Sequence, residues 1–123
     1  MSTLILPYKS LTLDDFLKTN TKIPNNIPYN LLPNIIRCVK EILIPLDIHF
    51  INYPFPYYIS SCYRSPKVNE AVGGAISSDH LQALALDLAA KPHHISKLYD
   101  WAITMPFRYV KRYYKHVHIS LKI

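Results

Sequence analysis

From Leu32 to Leu43 the apolar side chains fall at steps of three and four residues: Leu32, Ile35, Ile36, Val39, Ile42 and Leu43, with Asn34, Arg37, Lys40 and Glu41 elsewhere on the wheel. That spacing predicts a helix over 30–44 that buries one face. Pro33 fits only a first turn, which sets the start near Asn30, and Pro45 marks a stop or kink. A second stripe, Ile95, Leu98, Trp101, Ala102 and Met105, predicts a helix over 93–104 that ends before Pro106. A shorter helix is expected over 11–19, where Thr12 can cap, Asp14 and Asp15 occupy the first turn, and Leu13, Phe16 and Leu17 share a face.

Between these stripes the pattern changes. Residues 20–30 are rich in Asn and Pro and read as a loop. Residues 50–63 are aromatic and β-branched, broken by Pro54 and Pro56, and predict a strand from Tyr57 to Ser61. Ser65 and Pro66 open a short helix through Ala71, followed by a turn at Gly73-Gly74 that needs positive φ. Residues 84–89 alternate around Asp87 as a strand, and two further strands, 107–112 and 116–121, close the chain. Helices first, then strands with one helix between them, imply an α+β fold with a small antiparallel sheet.

Composition narrows the class. A chain of 123 residues, half of them hydrophobic, has room for one domain with a real core, expected to span 1–123. A charged fraction of 18% and ten tyrosines argue against disorder. Two adjacent glycines, Gly73 and Gly74, exclude collagen-like chains and glycine-rich nucleotide loops. The net charge of +6 suits an anionic partner such as nucleic acid, an anionic membrane or a cell-wall polymer. Cys38 and Cys62 form no CxxC and are expected as free thiols of a reducing compartment. Met1 to Tyr8 lack the pattern of a secretory signal, and no long apolar window predicts a membrane span.

Asp87 is the only charge between Leu81 and Ala90, and it lies seven residues after His80. A lone carboxylate in an apolar strand is costly to bury unless it is paired or metal-bound. In His116-Val117-His118 the two imidazoles alternate on a strand and so point the same way. Two histidines and one aspartate, with a fourth position left to water, make a catalytic zinc shell. Spacing alone equally allows surface histidines and a paired core carboxylate.

The surrounding residues favour the first of these. Ser60-Ser61-Cys62-Tyr63-Arg64-Ser65-Pro66 and the following Asn69, Val72, Gly73 and Gly74 resemble the S-G-Y-R-S-P-x-x-N-x-x-V-G-G signature of the M15 zinc peptidases. Ser78-Asp79-His80, Ala83, Ala85 and Asp87 are similar to the family's S-x-H-x-x-G-x-A-x-D. His118-Ile119-Ser120 resembles its W-V-H-V-S segment, and residues 11–17 and 96–107 resemble its opening and later helices, so the likeness covers nearly the whole chain. The family includes D-alanyl-D-alanine carboxypeptidases and phage peptidoglycan endopeptidases. The resemblance implies a Hedgehog/DD-peptidase-like fold, a small antiparallel sheet flanked by helices. By position it implies His80, Asp87 and His118 as ligands of Zn²⁺. It implies Arg64 as the group holding a substrate carboxylate or peptide oxygen, and Ser78 as a substrate-orienting hydroxyl. Tyr63, Asn69, Gly73 and Gly74 would shape the loop that carries Arg64. The implied reaction is metal-assisted hydrolysis of peptidoglycan peptides, in a phage-type protein made in the bacterial host cytoplasm and released at lysis, or carried in the virion.

The chain departs from that pattern near its end. Where many members have an acid three positions before the last histidine, it has Lys115. Arg108 and Tyr113 stand where an F-D-Q-L-I-x-E stretch has acids, and His116 replaces the tryptophan. No Asp or Glu follows Asp100. A lysine beside Zn²⁺ must be deprotonated or turned away. Either His116 is the catalytic base, or an acid such as Glu70 or Asp79 reaches the site, although Asp79 reads first as a surface or turn residue. Cys62 and Ala83 replace glycines. Cys62 reads as a small buried residue, and Ala83 costs roughly 1 kcal/mol if its φ is positive. The alternative function is a degenerate relative that keeps zinc or fold and binds the wall. The run from Arg108 to His116 interleaves basic and aromatic residues as single-strand binders do, but it reads as a solvated basic edge strand, and specific nucleic-acid binding is not expected. His93 and His94 are expected to be exposed, and His49 to lie in a loop.

Overall fold

The computed structural model describes residues 9–123, and the expectation drawn from Met1 to Tyr8 lies outside the described residues. The fold is α+β. Four antiparallel strands, β1 (Tyr57–Ser61), β2 (Ala85–Ala90), β3 (Tyr109–Arg112) and β4 (His116–Ser120), lie in the order β1-β2-β4-β3. Opposed residues of antiparallel strands share a face. Asp87 opposes His118, Ala85 opposes Ser120, and Lys111 opposes His118 from the other side. One face of the sheet is therefore polar at its centre. The other carries Ile59, Leu86, Leu88, Val117 and Ile119, all buried.

That apolar face meets two helical units. The stripe at 32–43 starts from a 3-10 turn (Tyr29–Leu31) and continues as α1 (Leu32–Cys38), a π-helical segment (Val39–Leu43) and α2 (Ile44–His49). It delivers Ile35, Ile42, Leu43 and Leu46 to the core, while α4 (Pro92–Ala102) delivers Ile95, Leu98 and Trp101. Each such burial is worth about 1.5–3 kcal/mol. The helix does not stop at Pro45. Proline removes one intrahelical bond and crowds the preceding turn, and the wider π segment just before it takes up that disturbance. His49 consequently closes α2 rather than lying in a loop.

Other boundaries also moved. The early helix contracts to a 3-10 turn, Leu13–Phe16, in which Asp15 accepts the Thr12 N–H at 2.8 Å. Beyond it Lys18, Thr19 and Asn20 offer no apolar residue to extend the stripe. The short helix α3 (Pro66–Ala71) starts as expected, with the Ser65 hydroxyl accepting from the Val68 N–H at 3.3 Å. His94 is half-buried, stacked on Phe55 at 4.7 Å, so only His93 of that pair is exposed. A 3-10 helix, Asp79–Gln82, has no counterpart among the predicted elements, and it carries His80.

Candidate metal centre

The polar centre of the sheet is assembled by register. Pairing β2 with β4 sets Asp87 opposite His118, and the His118 Nδ1 lies 2.9 Å from Asp87 Oδ1. His80 arrives from the 3-10 helix. The Ser78 hydroxyl caps that helix by accepting the His80 N–H at 3.2 Å. Ala83 then turns the chain into β2 with φ of +55°, the left-handed conformation that a glycine adopts without strain. The His80 Nε2 ends 3.3 Å from Asp87 Oδ1. One nitrogen from each histidine and one Asp87 oxygen lie within 4.8 Å of one another.

These residues fit a metal. The His80 Nδ1 lies 2.5 Å from the Cys62 carbonyl, which can only accept, so Nδ1 carries the proton. The Nε2 then presents a lone pair, buried, without a hydrogen-bond donor, and facing a carboxylate oxygen. Two acceptors held together in a dry site repel unless a cation sits between them. A His/His/Asp set with one nitrogen of His80 pinned by a backbone carbonyl is the donor chemistry of a catalytic zinc site. Burial alone would push the Asp87 carboxyl up, but hydrogen bonds and charge from His118 and His80 in their protonated forms outweigh it and hold Asp87 well below the usual carboxylate range, a part that a bound cation takes when the facing nitrogens are bare.

Arg64 flanks the cluster on the β1 side. Its Nη2 lies 3.8 Å from Asp87 Oδ2, its Nε donates to Ser61 Oγ at 3.3 Å and its Nη1 to Asn69 Oδ1 at 3.3 Å. Asn69 is buried and donates in turn to the Ala75 carbonyl at 2.9 Å. Gly73 has φ of +73°, as the turn reading required. Gly74 has a different reason: a Cβ there would come within 2.7 Å of Asn69 Cγ and 3.0 Å of Arg64 Nη1. Buried Tyr63 ties the same segment to the opening 3-10 turn through the Phe16 carbonyl. The loop is thus shaped around the guanidinium.

His116 flanks the cluster on the β4 side. Its Nε2 is 3.9 Å from Asp87 Oδ2, and the Tyr113 ring stacks on it at 4.4 Å. Burial pushes the His116 pKa down; the Asp87 charge opposes this, but His118, His80 and Arg64 reinforce it. Tyr109 meets His118 edge-on at 5.8 Å. Lys111 opposes His118 across β3, with its ammonium 5.1 Å from the Tyr113 ring. Sequence reasoning did not single out Tyr109 and Tyr113 as neighbours of the cluster; the alternation of strand β3 was the available signal.

Three expectations need correction or completion. Lys115 is exposed in the β3–β4 turn, outside the cluster. Glu70 is exposed on α3 and does not join the cluster. Asp79 is neither a plain surface residue nor a reserve base. It pairs with Arg108 and accepts from the Ser120 hydroxyl at 2.8 Å, and these bonds outweigh burial and lower its pKa. Ser120, completely buried, reaches His118 Nε2 at 2.8 Å. Cys62 is buried, and burial with the Cys38 thiol 4.0 Å away raises its pKa well above the usual thiol value. It serves the site through its carbonyl.

Among the described residues no helix is long and apolar enough to cross a membrane. Comparison with family models matches residues 9–120 to the family described as Peptidase M15. Comparison with curated proteins finds no match.

Proposed function

Because the chain belongs to the peptidase M15 family, we propose that it is a zinc-dependent peptidase that hydrolyses peptide bonds of bacterial peptidoglycan, in D-Ala-containing stem peptides or cross-bridges. The observation that carries this reading is the convergence of His80, Asp87 and His118 around a buried His80 nitrogen with no donor. Zinc bound there supplies a Lewis acid for the scissile carbonyl and lowers the pKa of a bound water to roughly 7.

The protein's own residues do the rest. Arg64, its fork held by Ser61 and Asn69, offers Nη2 to a carboxylate or peptide oxygen of the substrate. Ser78 orients the substrate with a hydroxyl whose oxygen already caps the His80 turn. His116 Nε2, beside Asp87 and backed by Tyr113, takes the proton released in hydrolysis and returns it to the leaving amine. The net charge of +6 favours approach to an anionic wall polymer. A phage-type setting, with synthesis in a bacterial host and release at lysis or carriage in the virion, is part of the same proposal and rests on the resemblance to short members of the family.

One observation favours a second reading. Among the described residues, Asp87 is the only acid in the cluster, and Asp79 and Glu70 are engaged or turned elsewhere. A degenerate relative that binds wall peptides without cutting them has the same geometry. Muropeptide mapping of purified sacculi incubated with the zinc-loaded protein separates the two. The peptidase reading expects free D-alanine or split cross-links. Unchanged muropeptides at several pH values, with zinc bound, leave the binding module.

A further inference from the structure

We propose that Arg108, Asp79 and Ser120 are positioning residues that fix the tautomer of His118 and so aim its Nδ1 into the metal site. This inference rests on the zinc reading of the centre. The four side chains form one series. His118 Nε2 is 2.8 Å from Ser120 Oγ, Ser120 Oγ is 2.8 Å from Asp79 Oδ2, and Asp79 Oδ1 is paired with Arg108 Nη2. Arg108 is itself anchored, its backbone N–H donating to the Ser120 carbonyl at 3.0 Å and its Nε to the Leu121 carbonyl at 3.2 Å.

The direction of the protons follows from the end of the series. An ionised carboxylate only accepts, and Arg108 beside it keeps Asp79 ionised. The single Ser120 proton therefore goes to Asp79. What Ser120 Oγ offers His118 is a lone pair, so His118 Nε2 must donate. In the neutral imidazole, the form that can ligate a metal, the proton is then on Nε2 and Nδ1 is left bare, 2.9 Å from the Asp87 oxygen that also faces His80. Without the series either tautomer is available, and one of them would cap Nδ1 with a proton and donate to Asp87. The series selects the form that cannot satisfy Asp87 by itself and needs a cation.

This also explains the charge reversal at Arg108. A base stands where the resembling pattern has an acid, yet its charge goes to Asp79 and reaches the metal site only through Ser120 and the His118 ring. The Arg108–Asp79 pair is partly solvent-exposed and contributes little to stability by itself, whereas Ser120 is completely buried. The predicted consequence of breaking the series thus falls on metal affinity more than on folding.

The test is a competitive chelator titration with zinc on metal-free wild type and on Ser120→Ala, Asp79→Ala, Arg108→Ala and Arg108→Lys. Melting of each metal-free protein and the visible spectrum of its cobalt(II) form accompany the titration. Zinc affinity is expected to fall about 10–100-fold in Ser120→Ala and Asp79→Ala. The expected loss is smaller in Arg108→Ala and is partly restored by Arg108→Lys. The Ser120→Ala/Asp79→Ala double variant is expected to be no weaker than Ser120→Ala alone, because residues in series do not add. The cobalt bands are expected to shift in the same order. Folded variants that bind zinc as tightly as wild type overturn the inference and leave the peptidase reading intact. Losses that add in the double variant overturn the series. A wild type that binds no zinc overturns both. If Ser120→Ala does not fold, the two partly exposed positions, Asp79 and Arg108, decide the question by the same criterion.

Discussion

The two flanks of the Asp87–His118 pair are held by different means. On the β1 side Arg64 is held directly, by Ser61, Asn69 and a glycine turn cut to its shape. On the β4 side His116 is held by one stacked tyrosine, and His118 by a series that ends at the surface in an ion pair. The first flank tolerates little, because backbone and side chain meet at van der Waals distance. The second transmits its constraint through hydrogen bonds, which allow the outer residues to change type so long as donors still meet acceptors. Apart from Cys62, the first flank keeps the signature that the sequence resembles, whereas the second departs from it at Arg108, Tyr113, Lys115 and His116. A rewritten pattern is therefore not by itself a sign of a lost site.

The largest expected effect breaks the second flank at its centre. His116→Ala should lower the turnover number by about 10²–10⁴-fold while leaving zinc affinity unchanged. Steady-state kinetics on a stem peptide together with chelator titration measure both. Unchanged turnover would remove His116 from the mechanism.

A smaller effect is expected on the first flank. Gly74→Ala forces Asn69 or Arg64 to move and should destabilise the protein by about 1–3 kcal/mol. It should also raise KM more than it lowers kcat. Denaturant melts and kinetics check this, and a neutral result would mean that the loop is not built around Arg64.

Ala83→Gly sharpens the contrast at the join of the two flanks. Relief of left-handed strain, of roughly 1–2 kcal/mol, is opposed by the loss of a buried methyl, about 0.8 kcal/mol, and by glycine's chain entropy, about 0.5–1 kcal/mol. Near-neutral stability is expected in a thermal melt. A large stabilisation would show that Ala83 carries more strain than its φ of +55° implies. The smallest effect belongs to Lys115→Ala, which should leave zinc affinity where it is, since the side chain is exposed in the turn. A clear gain in affinity would place that ammonium at the metal.

Much of this was legible in the chain, for reasons that differ by residue. The stripes at 32–43 and 95–102 declared their helices because a buried face leaves a periodic trace. Asp87 stood out because an isolated charge in an apolar run needs a partner. Pro45 misled because a π segment can absorb a proline inside a helix, and nothing in the local pattern announces it. Asp79 and Arg108 were opaque for another reason. They are 29 positions apart, and only the β2–β4–β3 order brings them together. Ser120 was visible as part of a motif, but its partners were not, because hydrogen-bond direction is a property of the assembled network.

The central claim, that His80, Asp87 and His118 hold zinc, is tested most directly by metal analysis of the purified protein alongside a zinc titration followed by thermal melting. The account predicts about one zinc per chain and a melting temperature that rises with free zinc, as a ligand specific to the folded state requires. Both should be lost in Asp87→Ala. No metal in wild type, and no change of melting temperature on adding zinc, would contradict it.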